Sequence, residues 1–495
     1  MVIFRAVWLL GAQTLPRLFE IASSEIAMIA RTAAIARESL FRPWIEEARA
    51  TVTLALPLIL TNLAQTVINA TDIVFIGWLG SRPLAAGALG TNLYFAMLIF
   101  GIGMISAVSP MIAKKLGEQR HSVRAVRDIV RQGFWLALAI SIPFWLLLWH
   151  TEAILLAIGQ EADLARMAGL YMRGLQWAML PFLCYLVLRS FIVALEQPFW
   201  SLVIGLIGLV VNALAVWALV FGKLGLPALG IVGAGIGSTI SAIAMFAGMA
   251  IVCVVHPRFG RYRVFGYFWR FDPAEFFNLA RLGLPIGVAV ALEVTVFNAA
   301  VFLMGLIGAT AVAAHAIAIQ FAALCFMVPL GFSQAATVRV GYAFGAGDRD
   351  GVRRAGWTPF ALGIAFMCCT AVIIYTVPER LAGIFLDRTD AANAEVVALT
   401  VSFLGIAALF QVFDGAQVIA AGMLRGLHDA RVPMIYAAIG YWGVGLGVGL
   451  ALGFWLGFGG IGIWIGLASG LAVTSFMLVG RWLRREKLGL LRVAA

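Results

Sequence analysis

The sequence predicts an all-α membrane protein whose twelve transmembrane helices form two pseudo-symmetric six-helix bundles. Three observations carry that prediction. Of the 495 residues, 62% are hydrophobic and only 12% charged, with a mean hydropathy of +0.98, a composition foreign to soluble globular chains. Apolar windows of about 20 residues, the length that crosses a bilayer, recur along the chain. The chain is also written twice. Leu54-Ala55-Leu56-Pro57 is answered by Leu282-Gly283-Leu284-Pro285, an offset of 228. The same offset pairs Gly77 with Gly305, Gly80 with Gly308 and Gly117 with Gly345. Near the far ends Gly230, Gly233 and Gly235 match Gly457, Gly460 and Gly462 at 227. A register held over half a chain means two copies of one structural unit, and repeated membrane bundles point to transporters.

The windows fall at 53–79, 84–113, 129–149, 167–188, 200–222, 231–255, 279–308, 312–337, 357–377, 396–421, 433–456 and 460–482. Their length and continuity indicate helices rather than the short alternating strands of a barrel. Six spans per copy is an even number, so both copies enter the membrane the same way round. They divide the chain into an extension over 1–50, a first lobe over 51–256, a linker over 257–278, a second lobe over 279–483 and a basic tail over 484–495. Residues 24–49, with Arg31, Arg37, Arg42 and Arg49 among alanines and isoleucines, suit a helix lying on the membrane face; translation beginning at Met28 is the alternative. Pro57 and Pro285 sit near the starts of the first and seventh windows, as first-turn prolines or as kinks. Pro110 reads as a bend within the second.

The net charge of +11 is a matter of topology rather than of a nucleic-acid partner. Lys114, Lys115, Arg120, Arg124, Arg127 and Arg131 cluster around the second loop. Arg258, Arg261, Arg263 and Arg270 follow the sixth span, and Arg349, Arg353 and Arg354 the eighth. Arg481, Arg484, Arg485 and Lys487 close the twelfth. Alternate loops are poorer in base, Arg380 and Arg388 being the main exception. This alternation puts both termini in the cytoplasm, and the expected location is the cell (inner) membrane. Cys184, Cys253, Cys325, Cys368 and Cys369 all lie in spans without metal-ligand spacing and read as small packing residues. The glycine-rich segments follow no strand and carry no Lys-Ser/Thr, so they serve close helix packing. No nucleophile–base set or phosphate loop appears, and the chain is not expected to be an enzyme.

An ionisable side chain at a bilayer centre costs at least about 2.5–3.5 kcal/mol, so each one requires a reason. Asp72, Glu293 and Asp414 stand inside predicted spans. Asn62, Gln65, Asn69 and Asp72, spaced three, four and three, line one helix face and predict a polar cavity wall, interhelical hydrogen bonding being the alternative. Asp414 is flanked by Gln411 and Gln417 at three residues either side. If Glu293 and Asp414 converge, they repel one another and need a proton or a cation between them. That is the requirement for ion coupling, and no Lys or Arg is expected within the apolar part of either span. Asn212 is a lone amide in the fifth span. His315, near a span entrance, reads as a hydrogen-bonded structural residue.

The motifs Leu56-Pro57…Thr71-Asp72-Ile73…Gly77…Leu79-Gly80 and Leu84-Ala85-Ala86 resemble the opening of the multidrug and toxic compound extrusion (MATE) transporters. Val312-Ala313-Ala314-His315, Phe344-Gly345-Ala346-Gly347-Asp348 and Leu424-Arg425-Gly426-Leu427-His428-Asp429 resemble the family's second half, and the similarity covers residues 47–483. The resemblance implies a V-shaped bundle, working as a monomer without cofactor, that exports cationic or amphipathic compounds against entering Na⁺ or H⁺. It places Glu293 and Asp414 in the acidic cation site of the NorM-like branch, Asp72 at the acid of the first helix and Asn212 at a polar position of the fifth. Phe410 replaces a tyrosine that this branch often carries near the cation, and Val216 replaces a second asparagine. Phe297, Phe410 and Phe413 are candidate cargo contacts, since aromatic faces attract cations. The alternative is a lipid-linked oligosaccharide flippase of the same superfamily. It predicts a cationic groove for pyrophosphate, whereas intramembrane Arg and Lys look scarce. Shifted by 228, Glu293 falls on Gln65 and Asp72 on Ala300: the scaffold repeats, the charges do not.

Overall fold

The computed structural model describes residues 41–119, 122–387, 390 and 393–491. The expected surface helix over 24–49 lies mostly outside the described residues, as do Arg120 and Arg388. The chain divides into a unit ending at Ala50 and one running from Thr51; residues 41–50 of the former are helical. Among the described residues every regular element is a helix.

Among the described residues twelve helices are long and apolar enough to cross a membrane. The first half supplies α1 (Phe41–Gly77), α2 (Ser81–Glu118), α3 (Val123–Trp149), α4 (Ala162–Ala194), α5 (Phe199–Phe221) and α6 (Ile231–Val255). The second supplies α7 (Pro273–Ile307), α8 (Ala309–Gly345), α9 (Arg349–Thr376), α10 (Ala394–Gly426), α11 (Arg431–Trp455) and α12 (Gly459–Leu483). Several run well past their apolar windows toward the basic loops. Pro57 and Pro285 are therefore interior to α1 and α7, not first-turn residues. In α2 the helix breaks at Ser106–Ala107, just before Pro110. The α7 N-terminus is set by Pro273 in the first turn and by Asp272, whose Oδ1 accepts from the amides of Ala274 and Glu275 at 3.1 and 3.3 Å.

Lipid offers no hydrophobic force between helices, so close approach of small residues does much of the holding. The two halves meet through a contact set that obeys the repeat. A methyl added at Gly117 would run into the carbonyl oxygen of Tyr342, and one at Gly345 into that of Lys114; Gly117 and Gly345, like Lys114 and Tyr342, are 228 residues apart, so the repeat exchanges the two contacts. The same arithmetic relates Gly103 against Gly287 to Gly331 against Ile59. An apolar core straddles this junction, with Leu58, Ala113, Val193, Phe332 and Leu424 buried in it; a second, mostly of the first half, takes in Leu279, Leu282 and Ile286 of α7, and a third lies within the second half. Polar ties join the halves at the same end. Arg339 Nη1 of α8 lies 2.7 Å from Glu196 Oε1, just past α4, and His428 Nε2, just past α10, donates to the Pro110 carbonyl at 3.2 Å. Glu196 and His428 both adopt left-handed backbone, φ 57 and 60°. The halves thus close at the end that carries the basic loops.

The linker is folded. Phe259, Tyr262 and Val264 are buried against the first half, Phe191 packing edge-on to Phe259 and Tyr262. The tail departs from a solvated basic segment: Arg485 is buried, its guanidinium over the Trp482 ring at 4.7 Å. Among the cysteines, Cys368 and Cys369 are exposed on α9, so packing does not account for them.

Candidate functional site

Within the second half, side chains from α7, α10 and α11 converge on one amide. Gln417 Nε2 donates to Glu293 Oε1 at 3.0 Å and to Asp414 Oδ1 at 3.3 Å, while Gln417 Oε1 accepts from the Tyr441 hydroxyl at 2.9 Å. Asp414, Gln417 and Arg425 fall three and eight residues apart on α10, which keeps them on one face. Tyr441 sits in a π-helical stretch, Ala438–Leu446, a distortion often found where a side chain has to be re-aimed. A cavity lined by Glu293, Gln417, Arg425 and Tyr441 opens beside the cluster. Glu293 is half-buried at its wall, and Asp414, 5% exposed, lies behind Gln417. Carboxylate, amide and phenol oxygens in this array offer a hard cation oxygen ligands, and either carboxylate can take a proton instead.

Arg425 corrects the expectation that no base accompanies these acids. Its guanidinium faces Glu293 and Tyr441 from three turns further along α10, where the helix runs on past the apolar window. Buried acids without a counter-charge would be far costlier than this half-neutralised set. Position 410 carries no hydroxyl, and the one in the cluster is that of Tyr441. Phe410 itself is 1% exposed, packed edge-on against Trp464 at 5.4 Å and Phe297 at 6.0 Å, so it belongs to the core rather than to an accessible wall. Phe297 and Phe413 are half-buried, Phe413 lying against Phe476. Gln411 turns away from the cluster, its Nε2 donating to Thr370 Oγ1 on α9 at 3.1 Å. His315 is buried against Trp464 with neither ring nitrogen hydrogen-bonded, unlike the expected structural histidine.

Asp72 stands apart from Glu293 and Asp414, with partners from the first half. Ser238 Oγ of α6 donates to Asp72 Oδ2 at 2.9 Å. Asn212 of α5 and Tyr171 of α4 are its polar neighbours, although the Asn212 amide atoms complete no hydrogen bond and Asp72 Oδ1 is buried without a donor. Along the rest of the α1 stripe, Asn69 is exposed and Gln65 Nε2 lies 4.0 Å from Met245 Sδ. Asn62 is 8% exposed and accepts from Arg189. The stripe is thus part open wall and part interhelical contact. The sequence alone does not mark Arg189, Arg425 or Tyr441 as site residues. The two arginines lie just past the ends of the apolar windows, and nothing in the local sequence distinguishes Tyr441.

The MatE family model matches residues 57–218 and again 285–451, so the two matches begin at the repeated prolines. The chain is 59% identical to a probable multidrug resistance protein NorM of Mesorhizobium japonicum, over 90% of this chain and 95% of that one. It is 50% identical to the protein of the same name from Brucella suis, over 89% and 94%. Among solved structures, the eukaryotic MATE transporter AtDTX14 superposes with a TM-score of 0.76 at 21% identity, over 89% of this chain and 96% of that chain. A MATE solved in complex with MaL6 gives 0.79 at 18%, over 90% and 97%; both likenesses speak for the fold. With the family model covering both halves and relatives this similar over nearly their full lengths, the chain belongs to the MatE family of membrane transporters.

Proposed function

We propose that the chain is a secondary active antiporter that exports cationic or amphipathic compounds in exchange for Na⁺ or H⁺. The observation that carries this reading is the single Gln417 amide shared by Glu293 and Asp414 beside a cavity. An entering cation or proton offsets the repulsion of the two acids, and its departure restores it. The names of the relatives support multidrug cargo. Asp72, with Ser238 and Asn212, is a second acidic position in the first lobe.

On this reading, residues 51–256 and 279–483 are lobes that rock about the linker over 257–278, the chain acting as a monomer in the inner membrane. Basic loops facing the cytoplasm place both termini there, and halves closed at that end make the described conformation outward-facing. Everted vesicles test the site. Glu293→Gln is expected to abolish ethidium export, and export at the unmodified rate would sink the assignment. Separate Na⁺ and pH gradients across proteoliposomes identify the coupling ion. The flippase alternative gains from the arginines at 189 and 425, which lie within spanning helices although past their apolar windows; transfer of a lipid-linked oligosaccharide across the same proteoliposomes decides it.

A further inference from the structure

Where the halves meet, a guanidinium lacks a counter-charge. Arg189, on α4, donates from Nη2 to Asn62 Oδ1 of α1 at 2.9 Å and to Gln334 Oε1 of α8 at 3.2 Å. Both acceptors are neutral amides. Among the described residues no carboxylate lies within ion-pair distance of Arg189, and its Nε and Nη1 have no protein acceptor. Its surroundings are short of acceptors as well. Asn62 Nδ2 is buried and unpartnered, and the nearby Tyr185 hydroxyl is buried without a partner. Arg425, the comparable base of the second half, faces Glu293 instead.

A full positive charge inside a helical bundle is costly unless something neutralises it. Arg189 is half-buried rather than sealed in the core. A guanidinium edge with two free donors suits an oxyanion, which it can grip bidentately. We propose that Arg189 forms an oxyanion-binding subsite at the junction of the two halves, taking the carboxylate or phosphate of an amphipathic cargo. The site would widen the cargo class from simple cations to zwitterions. It also lies on a cross-half tie. An oxyanion that draws Arg189 away from Gln334 loosens the closed end, so binding there favours reopening.

This inference rests on the export reading, and one experiment separates their fates. Rhodamine B carries a free carboxylate, and its ethyl ester is the same dye as a simple cation. Binding of both to the purified full-length protein is followed by fluorescence anisotropy. The unmodified protein is expected to prefer the acid. Arg189→Gln should weaken acid binding by about tenfold or more, the scale of a charge-assisted hydrogen bond, and leave the ester nearly unchanged. Arg189→Lys should recover part of the loss. Competition by short-chain phosphatidylglycerol but not by inorganic phosphate would name a lipid headgroup as an occupant of the same oxyanion site. Equal affinities for acid and ester in the unmodified protein would overturn the proposal without any variant. So would a variant that loses both dyes equally, which would make Arg189 a structural tie. Ester binding with no acid preference leaves the export reading standing, whereas failure of both dyes to bind counts against both.

Discussion

Gln417 and Glu293 are 124 residues apart in sequence and 3.0 Å apart in space, the amide of one donating to the carboxylate of the other. The same nitrogen reaches Asp414, so one neutral side chain bridges two acids. Gln417→Leu removes the shared donor and leaves both carboxylates short of a partner. A hydrogen bond to a charged group contributes about 1.5–3 kcal/mol, so ion-coupled efflux is expected to fall roughly tenfold or more. Ethidium export by Gln417→Leu at the unmodified rate would remove the amide from the mechanism.

Tyr441 acts one step further out, fixing which way the Gln417 amide points by donating to its oxygen. Tyr441→Phe keeps the ring and its packing but frees the amide to rotate. A neutral hydrogen bond is worth about 0.5–1.5 kcal/mol. The expected result is a roughly two- to tenfold rise in the half-saturating coupling-ion concentration, with maximal efflux nearly preserved. Transport measured against ion concentration in proteoliposomes distinguishes this from a loss of folded protein, which lowers only the maximum.

Much of this arrangement is legible in the residues themselves, for identifiable reasons. An acid in an apolar run is an anomaly that composition alone exposes, hence Asp72, Glu293 and Asp414. Helical spacing then places Gln417 beside Asp414. The same spacing misleads for Gln411, because periodicity gives a face but not the direction of a long flexible side chain, which finds Thr370 instead. Apolar windows measure bilayer thickness rather than helix length, so the extensions carrying Arg189 and Arg425 fall outside them. Tyr441 joins the cluster through tertiary packing of α11 against α7 and α12, and the sequence around it carries no trace of that.

The glycines paired by the repeat predict conformational preference. At Gly117 and Gly345, bulk would meet backbone carbonyls of the opposite half, which cannot move as a side-chain tip can. Gly117→Leu should cost the closed junction about 1–3 kcal/mol, as overpacking does, or up to roughly a hundredfold in the closed-to-open ratio. Gly345→Leu should do the same. Hydrogen exchange of residues 110–118 and 339–346 should rise in both variants, with helices remote from the junction unchanged. Protection at the unmodified level in either would deny these crossings a part in closure.

His428 makes closure at this end sensitive to acid. Burial pushes its imidazole down from the usual 6.5 to about 4; Lys114 and Lys115 add to that, while the hydrogen bond to the Pro110 carbonyl and Glu118 oppose it. The Phe344 ring lies 6.3 Å away. The closed form thus binds the proton more weakly than a form in which His428 is hydrated. Its contribution to closure is complete above about pH 6.5 and is lost progressively as pH falls from there toward 4. Hydrogen exchange over residues 108–118, corrected for the intrinsic pH dependence of exchange, should therefore show weakening protection between pH 6.5 and 5. His428→Gln keeps a donor for the Pro110 carbonyl without a titrating group, so its profile should be flat over that range. Equal slopes for the two proteins would assign the acid sensitivity to another group.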